Sequence, residues 1–168
     1  MFELKPLSPD AIPAALGKAE RYRLLNEPDE AESICQDILA IDPAHQQALV
    51  TLILAITDQF AVRGISGNVT RAMELLPRLE EEYDRLYYGG LICERRAKAH
   101  LSHGALDASA AAYDWFREAL RLFDKAQRVR PSGNDDSVLR WNACVRTLIR
   151  HPHLQPAPDE MPPAIMLE

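Results

Sequence analysis

The side chains best suited to chemistry lie close together in the second half of the chain. Cys93, His100 and His103 offer thiolate and imidazole groups, which both bind zinc. Cys93 and His100 are seven residues apart in a segment that reads as one helix. That spacing separates them by roughly 10 Å along the axis, whereas zinc lies within about 2.0–2.3 Å of its ligands. We therefore expect no metal and no cofactor. A helical domain that binds a small ligand or metal near His100, His103 and Trp115 remains an alternative.

The sequence also lacks the common catalytic motifs. Gly17-Lys18 lacks the preceding glycine-rich run of a P-loop, and the sequence has no G-x-S-x-G and no H-E-x-x-H. Neighbouring acids such as Asp135 and Asp136 are typical of a solvated helix face or a helix cap. The sequence therefore predicts a protein that is not an enzyme, with no catalytic residues.

Basic side chains recur at intervals of four, four and three residues in the segment after Trp115, so they form one stripe on a helix. This basic stripe consists of Arg117, Arg121, Lys125 and Arg128. Phe116 and Phe123 fall on the adjacent face, which we expect to be core. One interpretation is a solvent-facing stripe partly offset by Glu118 and Asp124. The other is a docking surface for an acidic partner.

Composition narrows the class of protein. The chain has 168 residues and a net charge of -6, which argues against general nucleic-acid binding. Residues 1–84 carry 7 Lys/Arg and 15 Asp/Glu (-8), whereas residues 85–150 carry 12 and 7 (+5). No apolar run reaches 18 residues, so we expect no membrane segment. The start of the chain lacks a signal-peptide pattern, and three scattered cysteines suit a reducing compartment, so we expect a cytoplasmic protein.

The elements that must position these groups read as helices almost throughout. Apolar residues recur at three and four, glycine is rare and β-branched runs are short. The pattern predicts an all-α fold with about seven helices in antiparallel neighbours. The predicted helices span 9–25, 28–41, 44–60, 68–82, 84–103, 108–129 and 135–150.

Turn residues support these boundaries. Asn26 suits the left-handed position that ends a helix, and Pro28 suits a first helical turn. Asp42 is predicted to cap the third helix, with Pro43 at its first position. Pro77 should kink or split the fourth helix.

Three loops are predicted, at residues 63–67, around Gly104 and at 131–134. Gly89 and Gly90 lie inside the fifth helix. They indicate either close helix–helix packing or a break.

Two segments repeat one packing pattern. Residues 27–43, "EPDEAESICQDILAIDP", align without gaps with residues 115–131, "WFREALRLFDKAQRVRP". In this alignment Ala31 matches Ala119, Cys35 matches Phe123, Ile38 matches Ala126 and Pro43 matches Pro131, always 88 residues apart. A small residue lets two helices approach closely and the larger residue fills the gap. We therefore expect both segments to pack in the same way.

This pattern resembles the tetratricopeptide repeat, in which a small residue, a large residue and a proline follow at fixed spacing. Residues 12–45 resemble one unit, with Ala19 and Tyr22 on its first helix. The departures are Ala15 for tryptophan, Lys18 for leucine and Cys35 for phenylalanine. The resemblance covers residues 12–150 as about three irregular repeats plus a final helix, with about 20 extra residues in the middle.

The resemblance implies a superhelix whose concave face, made by the first helix of each pair, takes an extended peptide or a helix of a partner. The residues it places on this groove are Glu20, Arg23, Val50, Leu54, Asp58, Arg95, Lys98 and Arg140. Leu16 and Glu20 replace the Lys and Asn with which some family members clamp a chaperone's carboxylate, so that role is not expected. The implied function is a protein–protein scaffold or adaptor whose partner is another protein or a peptide. Arg95, Lys98 and Arg140 would attract an acidic segment of that partner.

The segment 151–168 differs from the helical domain, residues 1–150. It holds five prolines in 18 residues and ends in "AIMLE". Such a sequence is extended or polyproline-like. It suggests an alternative function, a self-associating structural protein whose apolar tail docks in its own groove or in that of a neighbour.

Overall fold

The computed structural model describes residues 2–60, 65–103 and 108–156. Seven α-helices and no strand occur within these ranges. They are α1 (Ile12–Leu24), α2 (Pro28–Ile41), α3 (Gln46–Asp58), α4 (Ile65–Leu75), α5 (Glu82–His103), α6 (Ala108–Arg128) and α7 (Asp136–Arg150). Short 3-10 turns at Pro9–Ala11 and Leu76–Arg78 precede α1 and follow α4. The predicted all-α class with about seven helices is confirmed.

The turn between α1 and α2 follows the sequence closely. Asn26 has a φ of 60°, the left-handed conformation that its type predicted. The Asn26 N–H donates to the carbonyl of Arg23, and the Glu27 N–H donates to that of Tyr22. Pro28 then occupies the first turn of α2. This tight turn makes α1 and α2 an antiparallel pair.

The predicted start of α3 is wrong by two residues. The helix begins at Gln46, and the cap is His45, whose Nδ1 accepts the N–H of Ala48 at 3.2 Å. Asp42 uses its carboxylate on the N–H of Ala44 at 3.2 Å, inside a turn that Pro43 belongs to. The acid and the proline therefore shape the turn before the helix and do not start the helix itself.

The fourth helix is shifted from its predicted range. α4 begins at Ile65, so the predicted loop at 63–67 is wrong for residues 65–67, while 63 and 64 lie outside the described residues. The helix ends at Leu75 and continues only as a 3-10 turn around Pro77, as the proline predicted. Leu79 is extended and buried, so the predicted helical continuation to residue 82 is also wrong. The predicted Gly104 loop lies outside the described residues.

The helices pack in two series. Each helix contacts the next one along the chain, and the odd-numbered helices also contact each other in the order α1, α3, α5 and α7. Two hydrophobic clusters result, one among α1 to α5 and one among α5 to α7, with half-buried Leu54 and Met73 in contact with both. The side chains that project from the odd-numbered helices therefore lie on neighbouring elements.

The matched segments bury the residues that the alignment paired. All six aligned core positions are fully buried, and they fall on α2 and α6: Ala31 and Ala119, Cys35 and Phe123, Ile38 and Ala126. The two helices thus bury the same small and large positions, although 88 residues separate them.

The glycine pair in α5 marks close helix contact. A Cβ added at Gly90 would lie 2.7 Å from Cε1 of Phe123, whereas one at Gly89 would meet Leu76 and Leu122 at 3.4 and 3.5 Å. Helix α5 runs through both residues without interruption. The packing interpretation of this pair is confirmed, and the alternative of a break is wrong.

In the described ranges, every helix is too short or too polar to cross a lipid bilayer.

Candidate binding face on the odd-numbered helices

Three side chains from three helices meet at the carboxylate of Asp58 on α3. Arg23 of α1 donates its Nε–H to one carboxylate oxygen at 2.8 Å, and Arg95 of α5 donates to the other oxygen at 2.5 Å. Arg95 also donates to the carbonyl of Leu54 at 3.1 Å and to the hydroxyl of Thr57 at 2.5 Å. The structure thus brings together three of the residues that the sequence placed on the groove.

A second ionic group continues this face from α5 to α7. Glu94 Oε1 lies 2.5 Å from Nζ of Lys98 and 3.6 Å from the guanidinium of Arg140. The Glu94 side chain is 1% exposed, whereas that of Lys98 is 46% exposed. The other Glu94 oxygen is buried and has no hydrogen-bond partner among the described residues. Lys98 therefore pairs with a buried carboxylate, while part of its aliphatic chain and of its ammonium group is exposed to solvent.

Sequence reasoning missed Glu94. The available signal was its spacing of four residues from Lys98, which is common on any exposed helix. The sequence could not show that α7 covers this acid, because Arg140 is 46 residues away.

A cleft opens between α3 and α5 beside these groups. It has a volume of about 370 Å³. The lining includes Phe60 and Ala99, which are only 1% and 4% exposed, and the polar or charged residues Thr57, Asp58, Arg95, Lys98 and Ser102. The cleft thus joins a small apolar surface to a charged rim, the combination that fixes a bound group in position and orientation.

Two predicted groove residues do not contribute to this surface. Val50 is only 7% exposed and belongs to the first hydrophobic cluster, so its predicted place on the groove is wrong. Leu54 is half-buried, and its carbonyl is held by Arg95. The predicted exposure of these two side chains failed because α1, α2, α4 and α5 bury most of the circumference of α3.

Glu20 lies on the exposed part of α1, where its carboxylate accepts a hydrogen bond from Gln47 at 3.3 Å. It is separate from the Asp58 and Glu94 groups, with which it shares no hydrogen bond in the described structure. Glu20 therefore borders the face.

Charge on the face is unbalanced. The two ionic groups hold four cations, Arg23, Arg95, Lys98 and Arg140, and two anions, Asp58 and Glu94. Burial lowers the pKa of Arg95 and the negative charge of Asp58 opposes that effect. Arginine remains protonated at all ordinary pH values. The two ionic groups together therefore carry two more positive than negative charges, with the carboxylate of Glu20 at the border, on a chain whose net charge is negative.

The basic stripe lies on the exposed surface of α6. Arg121 pairs with Glu118 at 2.5 Å and Arg128 pairs with Asp124 at 2.5 Å, as the solvent-facing interpretation expected. The hydrogen bonds from Arg121 hold the pKa of Glu118 below its usual value. Arg117 lies 5.9 Å from the ring centre of Tyr113. A docking role for the stripe, which includes Lys125, stays a prediction.

The potential metal ligands do not form a site in the structure described. Cys93 is fully buried, and burial raises the pKa of its thiol to about 12. Trp115 is covered by the guanidinium of Arg96 at 3.9 Å, and His100 is half-buried on α5. The side chain of His103 lies outside the described residues. Within those residues, no group of three or more His, Cys, Asp or Glu side chains is placed to hold a metal ion.

Comparison with known proteins finds no relative for this chain. No protein-family model matches it, no curated protein matches it, and no solved structure matches it.

Proposed function

We propose that this chain is a non-enzymatic interaction protein that binds a peptide or a helix of another protein on the face formed by α1, α3, α5 and α7. The observation that carries the proposal is the cleft between α3 and α5 with its rim of charged side chains. A cleft of about 370 Å³ accommodates a few side chains of a bound segment, and the adjoining face extends over two further helix contacts, α1 with α3 and α5 with α7.

The charges of the face define the kind of partner. Two positive charges in excess in the two ionic groups favour a segment with Asp or Glu side chains, and the small apolar surface of the cleft favours an apolar side chain next to them. Complementary charge speeds association and selects among partners. The proposed ligand is therefore an acidic peptide that also carries apolar residues.

The packing of the groups suits binding better than proton transfer. Asp58 is held between two guanidinium groups, and Arg95 has three acceptors from α3. Groups fixed in this way form a rigid surface, which lowers the entropy lost when a ligand binds.

The repeated packing pattern also supports a tetratricopeptide-like interaction domain. α2 and α6 bury equivalent small and large positions, and the odd-numbered helices contact each other in series. In repeat proteins of that kind, stacked helix pairs create extended concave surfaces that bind partners.

The test uses one lysine on the face and one away from it. Lys98→Gln removes an exposed charge from the rim, and Lys18→Gln removes an exposed charge from α1 beside α2. Immobilised full-length wild type and both variants are exposed to the same extract, and bound proteins are quantified by mass spectrometry. We expect a set of proteins that Lys98→Gln loses and Lys18→Gln retains, and that binds the purified wild-type chain directly.

Thermal unfolding of both variants shows whether they are folded at the temperature of capture. If Lys98→Gln is folded and retains every protein that wild type captures, the proposed face is not the binding site.

A further inference from the structure

We propose that the acidic, apolar segment 157–168 of this same chain is a built-in occupant of the cleft between α3 and α5, so that a partner must displace it. This inference rests on the proposed function, because it assigns a regulator to the proposed binding site. The segment itself lies outside the described residues, and its sequence and the place where the described chain ends support this assignment.

The chain reaches residue 156 at the same end of the molecule as the cleft. Arg140 near the start of α7 lies beside Glu94 in the middle of α5, and successive odd-numbered helices run in the same direction. The C-terminal ends of α5 and α7 are therefore neighbours. The cleft is lined by Lys98, Ala99 and Ser102, which belong to the last two turns of α5.

Leu154 fixes the departure point of the segment. It is 5% exposed and packs into the hydrophobic cluster of α5, α6 and α7. Its N–H donates to the carbonyl of His151 at 2.9 Å, so the chain turns back against the helices directly after α7. The following residues thus start from a fixed point close to the end of α5.

The segment is long enough to reach the cleft. Twelve extended residues span up to about 40 Å. Neighbouring helix axes are about 8–10 Å apart, and the distance from Lys98 to the end of α5 is five residues, or about 8 Å. The segment can therefore enter the cleft of its own molecule.

Its composition matches the cleft. Residues 157–168, "APDEMPPAIMLE", contain three carboxylates (Asp159, Glu160 and Glu168) and no Lys or Arg. They also contain the apolar residues Met161, Ile165, Met166 and Leu167. The acids complement the positive excess of the two ionic groups, and an apolar side chain suits the small apolar surface of the cleft.

Carbodiimide cross-linking of the full-length chain tests this placement. The reagent joins a lysine amine directly to a carboxylate, and the chain has only four lysines, Lys5, Lys18, Lys98 and Lys125. Glu94 beside Lys98 is shielded by burial, so it competes weakly for the reagent. After trypsin digestion we expect a product that joins the peptide containing Lys98 to the peptide beginning at His151. Its yield should exceed at least tenfold that of tail links to Lys18 or Lys125.

A mixture of ¹⁵N-labelled and unlabelled chains shows whether each link is formed within one molecule. We expect products of a single label. Links of mixed label would place the segment in a second copy and overturn the proposal, as would equal yields at all lysines. Lys98→Arg keeps the charge and lacks the reactive amine, so it should abolish the product while the protein stays folded.

Binding of a synthetic peptide of residues 157–168 provides the second readout. Removal of the tail charges in the full chain by Asp159→Asn, Glu160→Gln and Glu168→Gln should empty the cleft. A tethered segment has an effective concentration in the millimolar range, so we expect the peptide to bind this variant about tenfold more tightly than wild type.

Equal affinity for the two chains would overturn the built-in occupant. If binding were nevertheless lost in Lys98→Gln and kept in Lys18→Gln, the proposed function would stand without this regulation. The two failures are therefore distinguishable.

Discussion

At the scale of single residues, Gly90 shows how strictly the helix contact limits side-chain size. Its position directly against Phe123 allows no Cβ without movement of a buried ring. Gly17 on α1 offers the opposite case, since an added Cβ there has no atom within 4 Å. The two glycines therefore separate the effect of packing from that of helix propensity.

Gly90→Ala should lower the free energy of unfolding by about 1–3 kcal/mol, because it overpacks the contact of α5 with α6. Gly17→Ala should raise it by about 0.5–1 kcal/mol, because alanine is the better helix former and nothing obstructs it. Urea denaturation followed by circular dichroism measures both. A stabilising Gly90→Ala would show that α6 does not approach α5 as closely as described.

The three cysteines are core residues in the structure. Burial raises the pKa of Cys35, Cys93 and Cys144 to about 12 from an ordinary value of 9.0. The thiolate is the reactive form, so all three should be inert toward a thiol reagent at pH 8 in the folded protein and should react fully in denaturant. Rapid labelling of any one thiol under native conditions would contradict its position in the core.

The same shifts make stability depend on alkaline pH. The pKa of each thiol is higher in the folded chain than in the unfolded chain. As the pH rises, the unfolded chain therefore loses its thiol protons before the folded chain does, and this favours unfolding. Stability should therefore be constant below about pH 8 with respect to these groups and should fall between pH 9 and 12. Cys→Ser or Cys→Ala variants should show a smaller fall in urea titrations across this range.

The sequence alone predicted some of these single-residue features. The left-handed Asn26 and the break at Pro77 follow from backbone properties of single residue types, and both are confirmed. Val50 and Glu94 could not be predicted, because their burial depends on helices far away in the sequence. His45 as a cap was missed because histidine is a rare choice there and Asp42 three residues earlier fitted better.

At the scale of elements, Asp58 ties three odd-numbered helices together. Both of its carboxylate oxygens accept from arginines of other helices, and the three side chains are 20–24% exposed. Except for α4, whose predicted end at residue 82 lies seven residues past Leu75, the helix ranges could be predicted within a few residues from periodicity and turn residues. The ionic contact between α1, α3 and α5 could not, although the resemblance to a repeat placed its three members on one face.

Asp58→Asn should lower the free energy of unfolding by about 1–3 kcal/mol, since two guanidinium groups then face each other without a carboxylate. Asp124→Asn is the matched control on an exposed pair with Arg128, and it should change stability by less than about 1 kcal/mol. Equal effects in thermal or urea denaturation would show that the Asp58 contact adds nothing beyond a surface ion pair.

The segment after α7 should behave as part of the second hydrophobic cluster. Leu154→Ala removes a buried side chain and should cost about 2–4 kcal/mol. Ile149→Ala removes a comparable side chain that is 72% exposed on α7 and should change stability by less than about 0.5 kcal/mol. If Leu154→Ala left the free energy of unfolding unchanged in the same denaturant series, Leu154 would not be anchored in the core. The proposed start of the tail at the end of α5 would then be wrong.

At the scale of the whole molecule, an acidic chain gathers two ionic groups in which cations outnumber anions. Four cations and two anions from α1, α3, α5 and α7 surround the cleft and its extension. Cys35 on α2 and Phe123 on α6 are both fully buried, as the matched pattern predicted, so burial at these positions was accessible from the sequence. The chemistry of the face depends on which charges pair across helices, and that required the structure.

The most direct test of the binding face is the affinity of an acidic peptide from a captured partner for full-length wild type, Lys98→Gln and Lys18→Gln, each also carrying Asp159→Asn, Glu160→Gln and Glu168→Gln so that the tail does not compete, measured by calorimetry at two salt concentrations. We predict that Lys98→Gln weakens binding about tenfold and reduces its salt dependence, because one charge-assisted contact is lost. Lys18→Gln should bind within about twofold of wild type. Equal affinity of the two variants at both salt concentrations would contradict a binding site on the odd-numbered helices.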